Sequence, residues 1–96
     1  MKMHPGEIRE LRDIPNIGVA IERMLLSLGV SEPADLIGSD PYALYDRLCS
    51  VTGKRQDPCV LDVFIAAVAY MEGGPARKWW EFTQERKRQL AARQSR

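Results

Sequence analysis

The sequence predicts an all-α fold, a compact bundle of about five to six short helices. Three observations predict it: apolar residues recur at three- and four-residue spacing in several segments, no stretch alternates β-branched with polar residues over six positions, and Pro and Gly interrupt the chain where short helices would start and stop. A chain of 96 residues suits one domain. At this size folding buries about 60–65% of the surface that the unfolded chain exposes, so most of the 45% hydrophobic residues are needed inside.

The elements follow in order. Residues 1–6 read as a flexible N-terminus. Ile8 and Leu11, with Glu7, Arg9, Glu10 and Arg12 outward, predict a short first helix closed by Asp13 and the helix-breaking Pro15. After a tight turn, Ile21, Met24, Leu25 and Leu28 fall at i, i+3, i+4 and i+7, one apolar stripe on a second helix that ends at Gly29. Ser31 and Pro33 open a short third helix through Leu36 and Ile37, ended by Gly38.

Asp40-Pro41 and Asp57-Pro58 are the two clearest helix starts. In each the carboxylate can accept from free amides of the first turn, while proline occupies a position where no donor is missed. The fourth helix is expected from Pro41 to about Ser50, with Leu44, Tyr45 and Leu48 inward. The fifth, from Pro58 to about Met71, is apolar around nearly its whole circumference and should be the central buried helix. Gly73-Gly74-Pro75 closes it. A sixth, from Ala76 to about Ala92, opens with Trp79, Trp80 and Phe82 and then turns polar, so its first half should dock and its second half project. Helices one and two, and helices four and five, form two helix-turn-helix pairs linked by helix three.

Whole-chain charge, +1, names no partner, but its distribution is uneven. Residues 1–76 carry seven Lys or Arg against eleven Asp or Glu, a net of −4, whereas residues 77–96 carry seven against two, a net of +5. An acidic body bears a basic tail. No apolar run approaches the ~18 residues of a membrane helix, and residues 1–7 lack the apolar centre of a secretory signal, so a cytoplasmic protein with no membrane partner is expected.

The informative stretch is Leu11-Arg12-Asp13-Ile14-Pro15-Asn16-Ile17-Gly18-Val19-Ala20, followed by the stripe of the second helix and Gly29-Val30. It resembles the helix-hairpin-helix motif, in which hydrophobic-Pro-Gly-hydrophobic-Gly joins two antiparallel helices. The physical logic is independent of the name. A glycine at a helix start lets the first-turn amides, which have no intrahelical acceptor, approach a phosphate closely, and the positive end of the helix dipole adds attraction. Carried onto this chain, the resemblance makes the amides of Gly18, Val19 and Ala20 the phosphate contacts, with Ile14 and Ile17 anchoring the hairpin. Asn16 stands where the motif's first glycine would be and tolerates left-handed geometry better than most residues. Val19 and Ala20 occupy positions where DNA-binding members often carry Lys or Arg, and Glu22 the place of a usual small residue. The other reading of the same turn is that it only packs two helices, with Ile17 as a core plug.

The similarity extends further. Leu44-Tyr45-Asp46-Arg47-Leu48-Cys49, Thr52-Gly53, Asp57-Pro58-Cys59-Val60-Leu61-Asp62-Val63-Phe64, Ala67-Val68 and Lys78-Trp79-Trp80 resemble the small bacterial helix-hairpin-helix proteins of the pathogenicity-locus or mitomycin-resistance type. The resemblance covers roughly residues 7–82, which makes these the helix-hairpin-helix domain and residues 83–96 a basic helical tail. It implies a DNA-binding module with no established chemistry.

Other constellations bear on the same question. Thr52-Gly53-Lys54-Arg55 reads either as a second, divergent hairpin that sets Lys54 and Arg55 against a second phosphate, or as an ordinary solvated loop. The tail from Arg77 and Lys78 onward places cations beside Trp79 and Trp80, suited to phosphate contact and base stacking, although one of the tryptophans is expected to pack on the fifth helix. Cys59, in a first helical turn, would feel a dipole that lowers a thiol pKa; the alternative for Cys49 and Cys59 is plain buried packing. His4 is the sole histidine, which leaves too few soft ligands for zinc, and Asp57 and Asp62 read as a cap and a surface or hydrogen-bonded carboxylate. No nucleophile–base set, P-loop or dinucleotide fingerprint is present, so neither an enzyme nor a cofactor is expected. The expected partner is DNA, bound through Asn16, Gly18, Val19, Ala20, Lys54, Arg55, Arg77 and Lys78. The alternative is a protein-interaction or self-associating module in which the hairpin is purely structural.

Overall fold

Pro58–Met71 has too little polar surface to face water on any side, and most of the other described elements pack against it. In the computed structural model, which describes residues 8–74 and 78–94, this segment is helix α3, and Leu61 to Val68, Tyr70 and Met71 are all buried. The described residues form α1 (Val19–Ser27), α2 (Pro41–Thr52), α3 and α4 (Thr83–Gln94), with 3-10 turns at Leu11–Asp13, Pro33–Leu36 and Trp79–Phe82. No strand occurs among them. None of these helices is long and apolar enough to cross a membrane.

The Asp-Pro signals start α2 and α3 as expected. Tyr42 N donates to Asp40 Oδ1 and Cys59 N to Asp57 Oδ1, both at 2.9 Å. Burying the side chains of Leu44, Tyr45 and Leu48 against α3 removes apolar surface worth about 1.5–3 kcal/mol per large side chain and sets the two helices side by side. α1 adds Leu25 and Leu28 to the same core, with Ile21 and Met24 half-buried beside them, and ends before Gly29 at φ +87°. Its C-terminal end is fastened to α2, where Arg47 Nη2 donates to Leu28 O at 3.0 Å.

Three predicted elements differ from the expectation, so that four α-helices stand among the described residues where five or six were expected. Where a first helix was expected, the described residues hold a single 3-10 turn. Asp13 Oδ2 accepts from the amides of Arg9 and Glu10 (3.2 and 3.0 Å), which holds Glu10 extended at φ −123° and ψ 154°. Pro15 forces Ile14 into an extended conformation on the other side. One turn fits between the two constraints. The third predicted helix is likewise a 3-10 turn, closed by Asp35 Oδ2 accepting from Ser31 N and Glu32 N. In the sixth, Lys78 N donates to Glu81 Oε2 at 2.8 Å and confines Trp79–Phe82 to a 3-10 turn, after which α4 begins.

α4 is also docked where projection was expected. Asp62, on α3, is fully buried, and its carboxylate accepts from Arg86 Nε (Oδ1, 2.9 Å), Arg86 Nη2 (Oδ2, 3.3 Å) and Thr83 Oγ1 (Oδ2, 2.9 Å). Leu90, one turn further along, is half-buried against the core. Phe82, rather than Trp80, anchors the preceding turn: Phe82 is buried, whereas Trp80 is 57% exposed.

Candidate functional site

Asn16, Gly18, Val19 and Ala20 form the corner between the Leu11–Asp13 turn and α1. Ile14 and Ile17 are buried and fix the corner to the core. Ile17 N donates to Ile14 O at 3.2 Å, closing a turn that places Asn16 at φ +74°. This is the left-handed region that a glycine would fill at no steric cost, and Asn is one of the few side chains that enters it readily. Gly18 then takes the N-cap position of α1 with φ −104° and ψ −169°, and its carbonyl accepts the first intrahelical bond, from Glu22 N at 3.0 Å.

The start of α1 differs from those of α2 and α3 in what meets its amides. No side chain caps it, and among the described residues no acceptor meets the N–H of Gly18, Val19 or Ala20. All three residues are exposed, and a β-carbon placed on Gly18 would meet nothing within 4 Å. The corner is therefore open. One carboxylate lies in the same helical turn, Glu22, but Arg12 Nε pairs with its Oε1 at 3.3 Å. The outward field at the corner is then that of the helix dipole and unpaired donors.

Lys54 and Arg55 lie exposed on the loop between α2 and α3. That loop is tied inward: Tyr45 donates its phenolic hydrogen to Gln56 O, Gln56 N donates to Cys49 Sγ at 3.4 Å, and Gln56 Nε2 donates to Thr52 Oγ1 at 2.9 Å. A second phosphate cradle at the start of α3 meets a physical obstacle, because the Asp57 carboxylate already occupies the Cys59 amide. That bond, from backbone amide to carboxylate, holds Asp57 below its ordinary pKa, so it is an anion at neutral pH. Among the described residues no hydrogen bond or ion pair joins Lys54 or Arg55 to the Gly18 corner, and the hydrogen bond that ties α1 to α2 lies at the other end of α1, from Arg47 Nη2 to Leu28 O.

Of the C-terminal cations, Lys78 is exposed and Arg77 lies outside the described residues, as does the side chain of Trp79. Arg86 is not part of a solvated basic face. Its side chain is 12% exposed and committed to Asp62, whose hydrogen bond raises the guanidinium pKa further. Cys49 and Cys59 are free thiols. The expected lowering of the Cys59 pKa is reversed: burial pushes it up, and the neighbouring Asp57 carboxylate adds to the push. Among the described residues no group of three His, Cys, Asp or Glu could hold a metal ion.

Sequence reasoning passes over one face of α2. Tyr42, Tyr45, Asp46 and Cys49 fall at i, i+3, i+4 and i+7 and, with Arg55, flank a cleft between α2, α3 and α4. The spacing itself is the available signal, but in the sequence Tyr45 reads as a core residue only.

Comparison with known proteins places this chain in a family. Residues 5–88 match the family described as Pathogenicity locus. The chain is 44% identical over 82 residues to a mitomycin resistance protein, McrB, of Streptomyces lavendulae, an alignment spanning 85% of this chain and 78% of that one. No solved structure matches it.

Proposed function

This chain belongs to the pathogenicity-locus family, and we propose that it is a non-enzymatic DNA-binding module of the helix-hairpin-helix kind, gripping backbone phosphates with little sequence preference. The observation that carries the proposal is the open corner at Gly18, where the amides of three exposed residues at a helix start have no acceptor among the described residues. Asn16 in left-handed geometry supports the hairpin reading, although the element before the turn is a 3-10 turn instead of a full helix. In this reading one phosphate oxygen sits on the amides of Gly18, Val19 and Ala20, and Lys54 and Lys78 add attraction from the surface. Contacts of this type orient the duplex and carry no base information.

The test is fluorescence anisotropy with a labelled DNA duplex across a salt series. Non-specific dissociation constants of about 10⁻⁴–10⁻⁶ M at physiological salt are expected, with log affinity falling against log salt at a slope of about −2 to −4. Gly18→Val adds bulk beside the amides with little backbone strain, since φ is negative and the β-carbon meets nothing within 4 Å. It should weaken binding at least fivefold while leaving the thermal midpoint within a few degrees. Binding of Gly18→Val equal to that of the natural chain sinks the proposal.

A second reading, self-association, draws on two features. Trp80 is 57% exposed, and Val19 and Leu26, two turns apart on α1, are each 49% exposed. Concentration-dependent sedimentation that is lost in Trp80→Ala and kept in Gly18→Val would move the assignment to that reading.

A further inference from the structure

The cleft between α2, α3 and α4 has a volume of about 340 Å³, at the lower end of the ~300–1,000 Å³ range of small-molecule sites. Its walls are apolar: the rings of Tyr42 and Tyr45 from α2, Leu61 from α3 and Leu90 from α4. Three polar groups interrupt them, the Cys49 thiol, the Asp46 carboxylate and the Arg55 guanidinium. Walls that are mostly aromatic and aliphatic, with a few convergent polar groups, are the usual composition of a ligand site.

The charge of Arg55 is the feature that selects a ligand. No carboxylate among the described residues forms an ion pair with it. The Tyr45 hydroxyl, which lines the same cleft, donates its hydrogen to Gln56 O. Burial holds the phenol above its ordinary pKa against the opposing pull of Arg55, so Tyr45 stays neutral and does not cancel the guanidinium charge. The Cys49 sulfur already accepts from the Gln56 amide and is turned to the loop. Asp46 is exposed and lines the same cleft, so a second negative charge on a ligand would be repelled.

We propose that this cleft is a binding site for a small planar organic monoanion of one or two rings, its carboxylate or sulfonate held by Arg55 and its ring face against Tyr42 and Leu90, above the buried Leu61. The assignment is independent of DNA binding at Gly18, since it uses a different surface and a different donor. It also gives the docking of α4 a consequence. Leu90 forms part of the cleft because the Asp62–Arg86 pair holds α4 in place. A bound ring would add contacts to Leu90, so ligand should slow amide exchange in α4 as well as in α2.

The test is a titration of the full chain, followed by amide NMR shifts, with 2-naphthoate as probe and 2-naphthamide as its uncharged counterpart. Expected are saturable shifts at Tyr42, Cys49, Leu61 and Leu90, with naphthamide binding at least tenfold more weakly, the usual scale for losing one charge-assisted hydrogen bond. Arg55→Met, an exposed substitution that leaves the core intact, should abolish the difference between the probes. Asp46→Asn should tighten naphthoate by a few fold, and Gly18→Val should leave it unchanged. Equal affinity for the two probes in the natural chain, shifts confined to other surfaces, or no saturation by millimolar naphthoate each overturns the proposal, and the first and last of these need no variant at all.

Discussion

Replacing Arg86 by methionine should be among the most damaging changes available outside the apolar core, although the residue lies in a segment of almost wholly polar sequence. The reason is its partner. Asp62 has no exposed surface, and its two carboxylate oxygens accept from Arg86 Nε and Nη2 and from the Thr83 hydroxyl. The methionine side chain would cover much of the same surface but withdraw both guanidinium donors, leaving the buried carboxylate the Thr83 hydroxyl. Removing one partner of a buried pair costs about 3–5 kcal/mol, and the 12% residual exposure of Arg86 argues for the lower figure. A domain of this length has about 5–14 kcal/mol of total stability, at about 0.05–0.15 kcal/mol per residue. A loss of about 3 kcal/mol therefore lowers the thermal midpoint by roughly 12–24 °C, at about 4–8 °C per kcal/mol.

The complementary changes separate charge from packing. Asp62→Leu leaves Arg86 as the orphan, but its long side chain can turn its guanidinium back to water, so the cost should be nearer about 1–2 kcal/mol. Combining Asp62→Leu with Arg86→Met removes both charges, and such replacements are often neutral or stabilising by about 1–4 kcal/mol. Urea denaturation followed by circular dichroism yields all four corners of the cycle. Strong non-additivity is expected, the double variant being more stable than Arg86→Met alone. Additive losses, or a cost below about 1 kcal/mol for Arg86→Met, would refute the reasoning by showing that the pair is not coupled in a desolvated site.

Asn16→Val, β-branched at φ +74°, should cost about 1–2 kcal/mol of backbone strain that Asn16→Gly does not incur, as read by thermal denaturation. Gly74→Ala places a β-carbon 2.8 Å from the backbone oxygen of Ala69, which must shift, so a loss of about 1–3 kcal/mol is expected where Gly18→Ala is nearly silent. Asp57 has a folded-state pKa below its ordinary 3.8, so its ionised cap contributes stability that is present above about pH 4 and lost as pH falls through the lowered value. Asp57→Asn, which keeps the cap without the charge, should flatten the fall of the thermal midpoint over that acidic range.

Much of this architecture is legible in the sequence because its signals are local. Asp40-Pro41 and Asp57-Pro58 start helices through bonds spanning two residues, and the apolar circumference of Pro58–Met71 needs no partner to be read as central. The shortened elements escape such a reading because a second local signal competes with the periodicity. Asp13, Asp35 and Glu81 each lie three residues after the residue whose amide they accept, and that reach-back bond confines the segment to a single turn. The docking of α4 has no local signature at all. Asp62 and Arg86 are 24 residues apart, and a lone acid inside an apolar helix and one of the three arginines in a basic one become partners only when both are placed. The same holds for the cleft, whose α2 face is visible in the spacing of Tyr42, Tyr45, Asp46 and Cys49 but whose other walls come from α3, α4 and the loop.

The pairing of Arg86 also changes what the uneven charge means for DNA. Counting residues 77–96 as a basic tail assumes that all seven cations are available to phosphate, yet Arg86 is already held by a carboxylate of the body and α4 is fixed to that body with it. The exposed Lys87 and Arg88 then stand at fixed places on a docked helix. Such cations act through counterion release and set the salt dependence, whereas neutral amides at the Gly18 corner act through geometry and release few ions. The two contributions are therefore separable in one experiment. Gly18→Val should lower affinity by a similar factor at every salt concentration and leave the slope unchanged, while Lys54→Gln or Lys78→Gln should each make the slope shallower by about one. A Gly18→Val variant whose slope collapses along with its affinity would mean that the corner orders the cations and does not itself hold the phosphate.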